Sequence, residues 1–391
     1  MVVKQIYNIV NSANKQAFGE NAIEVIDLQG VISTGNTVLS TATNKDLWFK
    51  AIADKITKTI ISDKVYNPKV RSMVMDKITY GAAIEKIYIA PEDAIENVAW
   101  KVEEGTVLGP GKAHFADVKV KIFDNRDTWR YNITVPDYQI DSAFHNESTL
   151  AAFISGIYNA IETSMNAAIE NLINLCYANL IGELLAYEDD HVGQGVHAVN
   201  LLKEYNTLTN AGLTADSARR SNEFYKYAGM RMKQIIDRMS KISIIYNTEG
   251  YHRFTDKEDM NVLIHTDFDA GYQTYLEADT FHNELVKLPG FETVSYWQGQ
   301  GAKGDFADTS KINITTASGK TVAQGGIIGM VFDKKALGVM FDDMRTDTYV
   351  DKNHDVVQLY NKATKGFFVD TSENAVVFYI AEDNQDIVQV D

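Results

Sequence analysis

The residues best placed to do metal chemistry in this chain are Asp189, Asp190, His191 and His197, gathered around Gly193 and Gly195. Two carboxylates and two imidazoles can supply the oxygen and nitrogen ligands of a divalent cation. A water activated by that cation would make the protein a metal-dependent hydrolase. The competing reading is a solvated loop, and it stays open at this stage.

Three other patterns lack parts that their chemistry needs. Gly299, Gly301 and Gly304 match the spacing of a dinucleotide-binding loop, but Asp305-Phe-Ala-Asp-Thr309 follows where a helix should present its N-terminus to the pyrophosphate. The stretch from Gly105 to Lys112 has one residue too many for a phosphate-binding loop. It also has Ala113 where a hydroxyl should hold magnesium, and Pro110 removes a cradle N–H. Asp351, Asn353 and Asp355 open like a calcium loop, yet Val356 stands at the glycine position and Lys362 at the bidentate glutamate position. His252 and His265 have no partner at a catalytic spacing. The sole cysteine, Cys176, has no second cysteine to pair with and lies in an apolar helical run, so it reads as a packed thiol. No catalytic residue, cofactor or metal is therefore expected, and function has to be sought in architecture.

The chain of 391 residues is long enough for two or three folding units, and 45% hydrophobic with 23% charged residues is an ordinary globular balance. A formal charge of −16, spread without an acidic tail, argues against a surface that grips nucleic-acid phosphates. It fits either plain solubility or a container wall that does not stick to its nucleic-acid cargo. Nothing approaches the roughly 20 apolar residues of a membrane span, and the N-terminal residues have no secretory pattern. The chain is expected in cytoplasm-like surroundings, with no long cleaved segment at its start.

The strongest local signal lies between Pro136 and Pro289. Leu150, Phe153, Ile154, Ile157, Tyr158, Ile161, Met165, Ile169, Leu172, Cys176 and Leu180 recur at three- and four-residue steps. This predicts a long amphipathic helix to about Tyr187, with Asn146 or Ser148 as its cap. A shorter helix is predicted from Asn44 to Ile61, and another from Glu223 to Ser240.

Strands are expected at 70–75, 83–89, 115–123, 130–135, 242–246, 326–332, 337–341, along the alternating run 345–360, and at 365–369 and 375–381. Short helices are expected at 256–266 and 276–285, and a loop at 299–304. The runs 115–123 and 130–135 read as a two-stranded excursion whose small apolar content must rest on something else. The runs 326–332 and 337–341 read as a hairpin turning at Asp333-Lys-Lys335. The class is α+β, with no internal repeat.

Four segments carry a family resemblance: Ala83-Ile-Glu-Lys-Ile-Tyr88, Phe153-Ile-Ser-Gly-Ile-Tyr-Asn-Ala-Ile161, Val331-Phe-Asp-Lys-Lys-Ala-Leu-Gly-Val-Met-Phe341, and 356–380 with Tyr360, Phe367-Phe368 and Asn374-Ala-Val-Val-Phe378. Taken in order, they resemble the major capsid proteins of tailed bacteriophages, most of all those of small short-tailed phages. No counterpart of the immunoglobulin-like domain that some relatives append is expected.

The resemblance implies the tailed-phage capsid fold. Its parts would be an N-terminal arm (1–62), a peripheral domain (63–79, 136–194 and 336–372) whose long helix is the spine, an extended E-loop (80–135), and an axial domain (195–335 and 373–391). It further implies self-assembly into hexamers and pentamers of an icosahedral or prolate head around double-stranded DNA. Portal, scaffolding, decoration or head-fibre proteins would be partners, with assembly in the host cytoplasm.

The E-loop would then lie across a neighbouring subunit. Val118, Val120 and Ile122 would find an apolar partner, Lys119, Lys121 and Arg130 would meet acidic groups, and Trp100, Trp129 and Tyr131 would act as anchors. Lysines in this element, Lys112, Lys119 and Lys121, suffice for no prediction of covalent crosslinking. The alternatives are an encapsulin-like nanocompartment with the same fold, the metal-dependent hydrolase, and a tail or fibre subunit, which the dominant helix disfavours.

Overall fold

The computed structural model describes residues 3–19, 22–65, 84–89, 118–123, 126–191, 196–277, 291–298, 310–316, 319–351, 353–382 and 387–388. Helices and strands fall largely in separate runs along them, as an α+β chain should. Three helices come first: α1 (Val3–Phe18), α2 (Leu28–Leu39) and α3 (Ala42–Val65). Asp27 starts α2 by accepting the Gly30 N–H at 2.8 Å, which satisfies one of the donors every helix start leaves open. Trp48 of α3 is fully buried, and its indole N–H donates to Asn14 of α1 at 2.8 Å.

Strands β1 (Ile84–Ile89), β2 (Val118–Phe123) and β3 (Arg126–Pro136) follow, then α4 (Asp137–Ala143) and α5 (Glu147–Asp190). At 44 residues, α5 is about 66 Å long at the usual rise. Asn146 accepts the Thr149 N–H at 2.8 Å while Thr149 Oγ1 accepts the Asn146 N–H at 3.1 Å, a reciprocal box that sets where the helix begins. Leu150, Ile154, Ile157 and Ile161 pack with α1, α2 and α3 in one core. Leu172, Cys176, Leu180 and Leu184 pack in a second, around the central sheet. One helix thus serves two cores through its two halves.

The central sheet is built from the rest of the chain. In order come β4 (Ala198–Asn200), α6 (Leu201–Thr209), α7 (Ala215–Ala218), α8 (Asn222–Met239), β5 (Met260–His265), α9 (Thr266–Glu277), β6 (Glu292–Val294), β7 (Ile312–Thr315), β8 (Thr321–Gln324), β9 (Ile327–Asp333), β10 (Leu337–Asp351), β11 (Val356–Val369), β12 (Ala375–Tyr379) and β13 (Ile387–Val388). Five strands lie in the order β4-β12-β9-β5-β6. Ala375, Val377 and Tyr379 of β12 face the α5 core. Val376 and Phe378, with Ile380 just beyond, face a third core built on Phe224, Met232 and Ile236 of α8. Burial on both faces explains why β9 and β12 read as unbroken apolar runs. Separate three-stranded sheets run β10-β11-β3 and β13-β8-β7.

Several expectations are corrected. The runs 115–123 and 130–135 do not pair with each other: β2 pairs with β1, and β3 pairs with β11 from Pro136↔Val356 to Arg126↔Gly366. Val135 and Ile133 join the α3–α5 core, a burial that pairing with β2 would forgo. The stretches 326–332 and 337–341 are strands but not a hairpin. β9 is flanked by β5 and β12, so β10 leaves the turn at Asp333–Ala336 for another sheet.

Residues 242–246 make only a bridge from Ser243 to Arg253, and Ile242, Ile244 and Ile245 are exposed. Asn247 closes this loop by donating to the Tyr251 carbonyl and accepting its N–H, both at 2.7 Å. The expected helix at 256–266 is a 3₁₀ turn (Lys257–Asp259) followed by β5, because a short apolar run buried on both faces carries no period. The expected strand at 70–75, the loop at 299–304, and 276–285 beyond Glu277 lie outside the described residues.

Candidate assembly surface

Strands β1 and β2 run antiparallel with Ile87 opposite Val120 and Ile89 opposite Val118. Residues directly opposite share a face, so this small sheet has two sides of different chemistry. One side carries Glu85, Ile87, Ile89, Val118, Val120 and Ile122. Its five β-branched members are 62%, 59%, 52%, 50% and 66% exposed in that order. The other side carries Lys86, Tyr88, Lys119, Lys121 and Phe123, and these dock on the same chain.

The docking begins with an acidic socket just after β11. Asp370 has no exposed side-chain surface and Glu373 only 4%. Lys86 Nζ sits 2.9 Å from Asp370 Oδ2 and 3.5 Å from Glu373 Oε1, and also donates to the Lys335 carbonyl. Lys121 Nζ lies 3.0 Å from Glu249 Oε1 and 3.4 Å from Asp370 Oδ1. Arg253 closes the far side, 3.2 Å from Glu373 Oε2.

Burial alone would push the Asp370 carboxyl up. Lys86, the Ser372 hydroxyl and Lys121 outweigh it and hold the group below the usual aspartate value. Glu373 goes the other way, because burial exceeds what Lys86 and Arg253 return. For Lys121, burial works to lower the pKa, but Glu249 and Asp370 more than offset it and raise the value.

Aromatic contacts complete the inner face. The Tyr88 and Tyr251 rings stack with centroids 4.0 Å apart and planes 4° from parallel. The Arg253 guanidinium lies 5.0 Å from the Tyr88 ring centre, and the Lys119 ammonium 4.9 Å from that of Tyr251. The His252 N–H donates to the Tyr88 hydroxyl at 3.1 Å, and Phe123 meets Phe368 at 5.2 Å. Every inner-face side chain described for the pair is engaged, so the apolar side is the one left outward.

The sequence-derived contact residues fall into groups. Val118, Val120 and Ile122 share the outward strip. Lys119 and Lys121, expected to meet a neighbour's acidic groups, meet Tyr251, Glu249 and Asp370 of their own chain. Arg130 is exposed on β3 opposite Lys362, and Trp129 and Tyr131 take their places in β3 opposite Ala363 and Asn361. Trp100 and Lys112 lie outside the described residues. The inner-face partners Lys86, Tyr88, Glu249, Tyr251, Arg253, Asp370 and Glu373 escaped sequence reasoning. The alternation Ile84-Glu-Lys-Ile-Tyr-Ile89, in step with Val118–Phe123, was the signal that could have found the pairing.

The hydrolase candidates do not converge. Asp190 pairs with Lys320, and His191 stacks on Tyr187 with centroids 4.1 Å apart. His197 is buried 3.7 Å from Glu188. Among the described residues, no group of three or more histidine, cysteine or acidic side chains is arranged to hold a metal. No helix there is long and apolar enough to cross a membrane.

Solved structures with the same architecture come from phage particles. The capsid structure of Staphylococcus phage Andhra matches with a TM-score of 0.50 at 11% identity, covering 79% of this chain and 83% of that one. A structure described as the head fibre and inner core protein gp22 of native bacteriophage P68 matches with a TM-score of 0.51 at 13% identity, covering 80% and 84%. No curated protein sequence matches the chain. The fold is therefore that of phage capsid subunits.

The model of the Phi29-like phage major capsid protein family matches residues 7–379, and the chain belongs to that family. It is a structural component of a tailed-phage virion that assembles with copies of itself into a shell, and it is not an enzyme.

Proposed function

We propose that the outward face of β1 and β2 is the contact by which each subunit holds the next in hexamers and pentamers of an icosahedral or prolate head. The observation that carries this reading is the two-sided pair: an inner face whose described side chains are engaged by their own chain and an outer face of five exposed β-branched side chains. Leaving such a strip in water is unfavourable, and covering it in an assembly supplies a driving force of about 25 cal/mol per Å² of apolar area buried.

In the proposed scheme residues 1–62 form an arm, and 63–79, 136–194 and 336–372 the peripheral domain with α5 as its spine. Residues 80–135 form the E-loop, and 195–335 with 373–391 the axial domain. Strand β3 stands at the root of the E-loop, since it pairs with β11 and not with β2. Val118, Val120 and Ile122 make the neighbour contact, Lys119 and Lys121 hold the strip facing outward, and Arg130, Trp129, Tyr131 and Trp100 belong to the surrounding contact zone.

The head encloses double-stranded DNA, and the net charge of −16 suits an inner wall that does not adhere to it. Assembly takes place in the host cytoplasm together with a portal, and scaffolding, decoration or head-fibre proteins join as the particle requires.

The test is the pair Val120→Asp and deletion of residues 100–118, each expressed beside the unaltered chain. Both variants should give folded subunits, with circular dichroism like that of the parent, that remain below capsomer size in sedimentation velocity. Shells of ordinary size and yield from Val120→Asp would overturn the reading.

A further inference from the structure

A second outward apolar patch lies on the loop between α8 and β5. Ile242, Ile244, Ile245 and Phe254 are 69%, 49%, 52% and 53% exposed, although the loop is braced by the Ser243–Arg253 bridge and the Asn247–Tyr251 pair. Buried Tyr251 and half-buried Arg253 lie against Tyr88 of β1, whose hydroxyl accepts the backbone N–H of His252. The loop therefore has its own two sides: a polar and aromatic side used within the subunit, and an apolar side that the described residues of the subunit leave exposed.

Rings of identical subunits need a head-to-tail interface, in which two different patches of the same chain complement each other. This chain offers two such patches, and the end of the loop nearest α8 carries cations that can pair with an acid on the strip. The strip on β1 and β2 carries the carboxylate of Glu85, exposed opposite Ile122. The exposed cations Arg238 and Lys241 immediately precede the loop patch in the chain, and exposed Asp256 follows it.

We infer that the 242–254 loop is the receptor for the β1–β2 strip of the adjacent copy, with Val120 of one subunit over Ile244 of the next and Glu85 turned toward Arg238 and Lys241. The occupant is a second copy of this chain. The inference rests on the reading that the strip is an intersubunit contact, and it adds the surface that the strip meets.

The experiment uses single-cysteine probes, which the chain permits because its only natural cysteine, Cys176, is buried. Val120→Cys and Ile244→Cys chains carrying different tags are co-expressed, the assembled particles are isolated, and a short bismaleimide is added. The expected result is a dimer band containing both tags on a denaturing gel, at least ten-fold stronger than in particles of either variant alone.

A complementary pair, Glu85→Lys and Lys241→Glu, should each lower particle yield several-fold, and the combined variant should recover most of it. Particles that form normally yet give no mixed-tag dimer, with no recovery in the combined charge variant, overturn the receptor assignment and leave the strip as a contact elsewhere. Parent and variant chains that never exceed monomer size overturn the assembly reading itself, and this inference with it.

Discussion

Replacing Lys86 by methionine keeps most of the side-chain volume and removes the cation that anchors β1. In the intact chain Lys86 Nζ meets Asp370 at 2.9 Å and Glu373 at 3.5 Å, and lies 4.8 Å from the Phe368 ring centre. Removing one partner from a buried ion pair costs about 3–5 kcal/mol when the other is left wholly uncompensated. Here Asp370 keeps Lys121 at 3.4 Å and the Ser372 N–H and hydroxyl at 3.0 and 2.7 Å, and Glu373 keeps Arg253 at 3.2 Å. The expected loss is therefore smaller, about 2 kcal/mol, with the buried-pair range as its upper bound. That corresponds to a rise of roughly 30-fold in the fraction of time the strand pair is undocked.

Native-state hydrogen exchange reads this directly: amides of 84–89 and 118–123 should lose roughly 30-fold protection while those of α5 stay unchanged. Lys119→Met serves as the comparison. Its described contact is the Tyr251 ring at 4.9 Å, and an exposed cation–π contact contributes about 0.5–1 kcal/mol. Unchanged protection in Lys86→Met, or equal losses in the two variants, would refute the idea that the acidic socket positions the strip.

Acid should act through the same socket. Asp370 titrates lower in the folded chain than in the unfolded one, so its stabilisation is complete above its ordinary value near 3.8 and is lost as pH falls through the depressed folded value. The urea midpoint should fall as the pH drops below about 3.8, with a shallower slope in Asp370→Asn. Glu373 is shifted up, its contribution has the opposite sign, and Glu373→Gln should not flatten that acid limb.

Asn146→Ala should lower stability by about 1 kcal/mol in chemical denaturation, through loss of the cap on α5. Gly326→Ala should cost at least about 2 kcal/mol and lower Tm by several degrees, since φ is +70° and a Cβ there would meet the Ile380 carbonyl oxygen at 2.2 Å. Cys176 should resist thiol reagents until the chain unfolds, because burial pushes its pKa up to about 12 despite the opposing charge of Lys365.

What was legible in the sequence was what local chemistry specifies. The three- and four-residue spacing from Leu150 to Leu180 and the cap at Asn146 are properties of a single segment, and the structure places α5 where they point. Strands β9, β12 and β2 were equally readable as apolar or alternating runs, whereas β5 read as a helix and 242–246 as a strand that does not form. Strand partnership was not readable. Whether 115–123 pairs with 130–135 or with 83–89 depends on which surfaces lie beyond each face, and β3 is drawn to β11 by burial of Val135 in a core assembled from α1, α3 and α5.

The same limit hid the inner face of the candidate site. Lys119 and Lys121 read as lysines free to find a neighbour because Glu249 and Asp370 stand 128 and 249 residues away from Lys121 in the chain. Ile242-Ser-Ile-Ile245 read as a buried strand because aliphatic side chains ordinarily seek the core. In this fold the same residues face outward.

The most direct test of the account is a cryo-electron microscopy map of assembled particles at side-chain resolution. It should show Ile87, Val118 and Val120 against an adjacent subunit while Lys86 and Lys121 remain on Asp370 of their own chain. Particles in which that strip faces solvent, or in which the two lysines cross to a neighbour's carboxylates, would contradict it.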